Sequence, residues 1–143
     1  MRKLGFVLFV LMSLAIASYP ALGSAPPCLS QPNDATDVAA AQTSAEKSCD
    51  CAGAVNHFSY VQCVRGVARA AFTAGNIRKT CLKNVVNPLS KSSCGIAGSV
   101  TCCGTTPQGE STCRVIPESA CKPRSGETAV PGSEPWCFVA CPD

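Results

Sequence analysis

The cysteines limit the folding of this chain more than any other feature of its sequence. The 143 residues include 12 cysteines, an even number, and all of them follow Gly23. This density is typical of small proteins that fold in an oxidising compartment and are stabilised by disulfides. We expect every cysteine to pair, leaving no free thiol. The predicted disulfide cysteines are Cys28, Cys49, Cys51, Cys63, Cys81, Cys94, Cys102, Cys103, Cys113, Cys121, Cys137 and Cys141.

The N-terminus predicts export. Arg2 and Lys3 precede a short apolar run, and residues 18–23 then supply a proline and the small residues of a cleavage site. The run is shorter than the ~20 apolar residues that span a membrane. We therefore predict a signal peptide over residues 1–23 and a secreted, extracellular product, with the cell surface or periplasm as alternative locations. The competing interpretation is an uncleaved membrane anchor.

Few large apolar side chains remain after cleavage. The 120 residues that follow Gly23 contain 20 Val, Ile, Leu and Phe, and 11 of these lie between Val55 and Leu89. The core should form there. Because that core is small, we expect disulfides, at ~2–4 kcal/mol each, to supply much of the stability.

Zinc is the main competing use for so many thiols. Structural zinc sites usually use Cys-x2-Cys pairs or Cys and His together, yet the sequence has no Cys-x2-Cys and a single histidine, His57. The spacing therefore favours disulfides and predicts no metal site. The missing Cys-x2-Cys also argues against a thioredoxin-like redox role.

Residues 49–97 predict a helical hairpin with five cysteines, which together with Cys28 make an even set of six. Asn56 is a suitable N-cap, and apolar residues from Tyr60 to Phe72 recur at the spacing of a buried helical face. Gly75 is suited to the left-handed position after the helix. A second helix should begin near Ile77 and end near Asn87, before Pro88. Gln62, Arg65, Arg69 and Thr73 are predicted on the solvent side of the first helix.

Helix geometry restricts the partner of Cys63. With the helices antiparallel about Gly75, Cys63 and Cys81 would be offset by ~9 Å along the axis. This exceeds the ~7 Å limit between the Cα atoms of a disulfide. Cys94, or one of the pair Cys49 and Cys51, fits Cys63 better.

The segments on either side of the predicted helical hairpin lack its helical pattern. Residues 24–48 lack a sustained period and predict a flexible N-terminal arm that is attached once, at Cys28, with a weak helical turn or two between Asp37 and Ala45. Residues 98–143 predict a β-hairpin with strands near 99–103 and 111–116, followed by a long loop and a C-terminal segment whose aromatic residues cover the hairpin. The expected fold is a small disulfide-rich α+β fold, a helical hairpin followed by a β-hairpin and loop-rich cystine module. The even division of cysteines permits two separately closed modules.

Candidate catalytic groups are few. His57 would have to serve any hydrolase triad, but it lies at the positive end of a helix, with no Ser-Asp pair directed at it. No close pair of carboxylates indicates a glycosidase. We therefore predict no catalytic, cofactor-binding or metal-binding residue, no cofactor, and a surface or capping role for His57.

Charge is unevenly distributed. Residues 51–109 carry six bases and no acid, whereas both flanking segments are net acidic. Such a basic segment is either a solvated helix face or a contact for an anionic cell-surface polymer or membrane surface. Nucleic acid is not expected, because no aromatic residues alternate with the bases. The candidate contacts are Arg65, Arg69, Arg78, Lys79, Lys83 and Lys91.

Several cysteine motifs occur in a recognisable order. They are Cys49-x-Cys51, Asn56-His57-x-x-Tyr60-Val61-x-Cys63-Val64, Ser93-Cys94-Gly95, Val100-Thr101-Cys102-Cys103, and the spaced Cys113, Cys121, Cys137 and Cys141. The order resembles small secreted cysteine-rich proteins of bacteria, over residues 49–141. This resemblance implies export and the layout above. It implies no activity, because that family is uncharacterised.

Two functional hypotheses follow from the sequence. The first is a non-enzymatic extracellular protein with a binding, inhibitory or structural role, in which disulfides present the loops 104–112 and 122–135 to a partner, another extracellular protein included. The second is a small secreted enzyme or thiol-redox factor. A count of free thiols would separate the two.

Overall fold

The computed structural model describes residues 25–123 and 126–141. The predicted signal peptide lies outside them. Three helices form the N-terminal half, α1 (Asp34–Ser48), α2 (His57–Thr73) and α3 (Leu82–Ser90). A three-stranded sheet and a short helix form the C-terminal half, with β1 (Ser99–Thr105), β2 (Ser111–Pro117), β3 (Thr128–Pro131) and α4 (Cys137–Ala140). The predicted disulfide-rich α+β fold is confirmed.

Helix α2 forms where the sequence predicts it, because both of its ends are capped locally. The Asn56 side chain accepts a hydrogen bond from the Ser59 backbone N–H at 2.8 Å, and the Ser59 hydroxyl lies 3.3 Å from the Asn56 N–H, making a reciprocal capping box. At the other end Gly75 has φ 78°, and the Asn76 N–H donates to the Ala71 carbonyl. This Schellman arrangement ends the helix.

Helix α1 replaces most of the arm that the sequence predicts. Its 15 residues pack against α2 and α3 through Val38, Ala41 and Ala45. The interface uses mainly alanine, which gives almost no hydrophobic periodicity but lets helices approach closely. Disulfides Cys28–Cys81 and Cys49–Cys63 flank α1 at its two ends. The helical half therefore includes residues 34–48, which the predicted boundary at Cys49 left out.

Helix α3 differs from the predicted second helix at both ends. A 3₁₀ turn, Lys79–Cys81, precedes it, and α3 continues through Pro88 to Ser90. Pro88 has no N–H to donate to the Asn84 carbonyl, four residues earlier. The Gln42 side chain of α1 donates to that carbonyl instead, at 3.0 Å. A tertiary hydrogen bond thus replaces the one that proline removes.

The helical core lies in the predicted segment and extends into α1. One cluster of buried residues surrounds Tyr60, Val64 and Leu89, and a second surrounds Ala68 and Val85. Ala45 of α1 belongs to the first cluster and is fully buried. The core is therefore small, as the composition indicates.

The predicted hairpin forms, and the sheet has a further strand. β1 is central, pairing antiparallel with β2 on one side and β3 on the other. β3 lies in the segment that the sequence predicts as a loop. Its Val130 is paired with Cys103 of β1 and is 59% exposed, so no buried face distinguishes this strand in the sequence.

All twelve cysteines are paired, and no disulfide joins the two halves. In the helical half the pairs are Cys28–Cys81, Cys49–Cys63 and Cys51–Cys94. Cys63 thus avoids Cys81, as helix geometry predicts, and Cys49 is its partner. In the sheet half the pairs are Cys102–Cys121, Cys103–Cys141 and Cys113–Cys137. Cys102 and Cys103 reach different partners because successive residues of a strand face opposite sides.

The two halves meet around Trp136. The indole Nε1 donates to the Tyr60 hydroxyl of α2 at 2.6 Å, and the Ser93 N–H donates to the Pro135 carbonyl at 3.0 Å. The predicted covering of the hairpin by the C-terminal aromatics is therefore wrong for Trp136, which packs against the helical core. Phe138 remains 40% exposed. Within the described ranges, no helix has the length and apolar character needed to cross a membrane.

Candidate functional site

Three of the six predicted basic contacts converge at one groove. Arg65 and Arg69 of α2 and Lys83 of α3 line an open depression of about 330 Å³ between the two helices. The remaining lining is mainly apolar and comes from Ala68, Leu82, Val86 and Asn87. We call this feature the cationic groove.

Helical periodicity places these cations. Val64 and Ala68 are fully buried, so Arg65 and Arg69, each one residue further along and four residues apart, project from the neighbouring exposed face. Lys83 is exposed on the facing helix. The sequence therefore predicts the solvent side of α2, but the meeting with Lys83 depends on the packing of α2 against α3.

No acidic residue in the described part of the chain forms an ion pair with the groove. The ion pairs found among residues 25–123 and 126–141 are Arg78–Asp34 and Arg114–Glu127, and neither involves the cationic groove. Three positive charges therefore face solvent together. Such an arrangement attracts an anionic partner, and salt weakens the attraction.

Arg78, another predicted contact, has a structural role instead. Its guanidinium forms an ion pair with the buried Asp34, with Nε 2.9 Å from Oδ1, and also donates to the carbonyls of Pro26 and Pro27. The hydrogen bond from Arg78 lowers the pKa of Asp34 to about 2, although burial opposes the shift. The same hydrogen bond raises the pKa of Arg78. This arginine fixes the start of α1.

The last two predicted contacts lie away from the groove. Lys79 begins the 3₁₀ turn before α3, and Lys91 follows the end of α3. Both are exposed. Lys91 lies beside Cys113 and Cys137 of the sheet half. The six predicted cations therefore do not form one surface, and three of them form the groove.

Sequence reasoning missed two exposed aromatic residues of α2. Phe58 is 68% exposed and Phe72 is 40% exposed, although the sequence predicts Phe72 on the buried face. That prediction was wrong because Phe72 lies one residue beyond Ala71, at the edge of the apolar stripe. The signal was present, since Phe58, Arg65 and Phe72 are spaced seven residues apart and so share one helix face. The expectation that no aromatic residues alternate with the bases is therefore wrong for α2.

His57 is held by backbone groups. Its Nδ1 lies 2.9 Å from the Cys94 carbonyl, and its Nε2 lies 3.1 Å from the Ser90 carbonyl at the end of α3. Both partners are acceptors, so only an imidazolium donates to both, whereas the neutral ring donates to one. The His57 ring therefore lies between the start of α2 and two backbone carbonyls, one at the end of α3 and one at Cys94.

Two other clusters of titratable or metal-ligating groups lie outside the cationic groove. Cys28, Asp34 and Cys81 lie at metal-binding distances, but the two sulfurs form a disulfide with each other and the carboxylate binds Arg78. Glu46 of α1 lies near Glu134 of the sheet half, and burial together with that negative charge raises the pKa of Glu46. The sulfurs and the carboxylate of the first cluster are therefore already engaged within the protein.

Comparisons of the chain with protein-family models, with curated proteins and with solved structures give no match.

Proposed function

We propose that this protein is an extracellular, non-enzymatic binding protein that holds an anionic partner in its cationic groove. The observation that carries the proposal is the convergence of Arg65, Arg69 and Lys83, from two helices, without an acidic partner among the described residues. Each of these side chains can contact an anionic group on the same partner. Three such contacts favour a polymer or surface with repeated negative charges.

The disulfides support the proposal because they fix both walls of the groove. Cys49–Cys63 attaches α2 to the end of α1, and Cys28–Cys81 attaches the start of α3 to the N-terminal segment. A binding surface that is rigid before contact loses little conformational freedom when it binds. Pairing of all twelve cysteines also favours a scaffold over a thiol-redox factor. The position of both His57 ring nitrogens against backbone carbonyls favours a scaffold over a hydrolase.

Salt-dependent retention on immobilised heparin tests the proposed function. The mature protein has a formal net charge of +1, since Arg2 and Lys3 account for two of the three positive charges of the full sequence. Retention therefore requires clustered charge. We expect retention at low salt that is lost by ~0.3 M salt, where screening becomes strong. Replacement of the three groove cations by glutamine, R65Q/R69Q/K83Q, should abolish it.

The matched control is K47Q/K91Q/K122Q, which removes three positive charges outside the groove. These lysines are all exposed, so the control changes the net charge equally without altering the groove. We expect it to retain most of the binding. Equal losses in the two triple variants would show that net charge alone determines retention, and would refute the groove.

A count of free thiols tests the redox alternative. We expect zero thiols in the denatured protein, whereas a reactive thiol would favour a thiol-redox factor.

A further inference from the structure

The exposed face of α2 carries phenylalanine as well as arginine. Phe58, Arg65 and Phe72 follow one another at seven-residue steps, which bring a helix back to within about 20° of the same direction. Arg69 lies beside this line, on the same exposed side. At ~1.5 Å per residue the two phenylalanines are about 21 Å apart, with both arginines between them. We call these four residues the α2 stripe.

The α2 stripe borders the cationic groove, so apolar and cationic contacts share one surface. Arg65 and Arg69 belong to both features, and Lys83 extends the positive charge onto α3. The groove lining adds the half-buried apolar side chains of Leu82 and Val86. Other exposed large apolar side chains lie outside the helices that form the groove, and no basic residue of the groove is among their neighbours in sequence. They are Leu29 and Val55 before α2, Ile96 after α3, and Val130, Phe138 and Val139 in the sheet half.

The combination of exposed phenylalanine rings and basic side chains distinguishes between classes of anionic partner. A hydrated polyanion pairs with the cations but offers no apolar environment to Phe58 and Phe72. A bilayer that contains anionic lipids offers both, because headgroups attract the cations while phenylalanine enters the boundary between headgroups and acyl chains. The charge complementarity and the exposed aromatic rings therefore match a lipid surface better than a polymer.

We propose that the α2 stripe and Lys83 dock this protein onto the surface of an anionic lipid bilayer. The proposal rests on the proposed function and names the class of anionic partner. α2 lies parallel to the membrane plane, with Phe58 and Phe72 inserted and Arg65, Arg69 and Lys83 at the headgroups. The contact is peripheral, and the disulfides keep α2 folded before and after binding.

Sedimentation with vesicles tests this orientation. The probes are vesicles of phosphatidylcholine with 30% phosphatidylglycerol, vesicles of phosphatidylcholine alone, and immobilised heparin as an anionic polymer. The mature protein should bind the anionic vesicles and not the neutral ones. The critical variant is F58S/F72S, which removes both rings from an exposed surface while preserving every charge. Circular dichroism confirms that each variant is folded.

The expected changes differ between the two probes. F58S/F72S should lower partitioning to anionic vesicles by at least about tenfold, from the apolar area that two exposed rings can bury. Its retention on heparin should stay unchanged. R65Q/R69Q/K83Q should lose about fivefold per charge on vesicles. The control V130T/F138S, which removes exposed apolar groups in the sheet half, should bind vesicles like the unmodified protein.

The outcomes separate the two proposals. If F58S/F72S binds anionic vesicles as well as the unmodified protein does, lipid docking is refuted, whereas heparin retention lost in R65Q/R69Q/K83Q still supports the anionic site. If V130T/F138S loses as much vesicle binding as F58S/F72S, the assigned face is wrong. If the unmodified protein binds neither anionic vesicles nor heparin, both proposals fail.

Discussion

The hydrogen bond between Tyr60 and Trp136 provides a sharp test of how the two halves are held together. Tyr60 is 2% exposed, and its hydroxyl accepts from the indole Nε1 at 2.6 Å. Replacement by phenylalanine keeps the ring in the helical core and leaves the indole N–H without its acceptor. A buried donor that loses its partner costs ~1–3 kcal/mol. Because Trp136 is half-buried, water can replace part of the bond, and we expect a loss of ~1–2 kcal/mol in the free energy of unfolding.

Urea unfolding with intact disulfides measures this loss. Circular dichroism reports the helices, and fluorescence of Trp136, the single tryptophan of the chain, reports the contact between the halves. A double-mutant cycle with W136F isolates the pair, since the double variant has neither donor nor acceptor. We expect the two single losses to be non-additive by ~0.5–1.5 kcal/mol. Circular dichroism serves for the variants that lack tryptophan.

The control removes a hydrogen bond that does not cross between the halves. The Thr101 hydroxyl donates to the Glu134 carbonyl at 2.6 Å inside the sheet half, and T101V deletes it. T101V should destabilise the protein without changing the fluorescence difference between folded and unfolded states. If Y60F has the same urea midpoint as the unmodified protein, or if the cycle is additive, the Tyr60–Trp136 bond does not stabilise the contact and our reasoning is wrong.

Four further predictions follow from single contacts. The pKa of Asp34 is about 2 in the folded protein, below its ordinary 3.8. The ionised carboxylate therefore stabilises the fold fully above pH ~4, and this stabilisation is lost as the pH falls through 2. The melting temperature of D34N should depend less on pH over this range than that of the unmodified protein. G95A should destabilise more than G75A, because a Cβ on Gly95 would lie 2.4 Å from the Asn56 backbone, whereas Gly75 faces open space. Both glycines have positive φ, so each variant strains the backbone, and G75A, which has no clash, should lose ~1–2 kcal/mol in the free energy of unfolding, measured by thermal unfolding. Q42L should cost ~1 kcal/mol in urea unfolding, and less in a P88A background, where a backbone N–H is restored; equal costs would contradict the role of Gln42. Complete reduction with dithiothreitol should abolish the circular dichroism and protease resistance, and their retention would show that packing alone suffices.

Local interactions explain what could be predicted from the sequence. The Asn56 cap, the apolar period of α2, the glycine after it and the alternating residues of β1 and β2 act between residues close in the chain. The exclusion of a Cys63–Cys81 pair needed only helix geometry. The solvent positions of Arg65 and Arg69 followed from the same period. For these elements, nearby residues contain enough information to fix the conformation.

The sequence by itself therefore determined the disulfide-rich class, α2 and the hairpin. Only the tertiary structure decided that α1 packs through alanines, that β3 joins the sheet, that α3 continues through Pro88, and that Trp136 meets the helices. It also showed that Arg78 does not belong to the groove, because it pairs with Asp34, which lies 44 residues earlier in the sequence. Each of these outcomes depends on partners distant in sequence, and composition and local periodicity do not specify which distant residues come together.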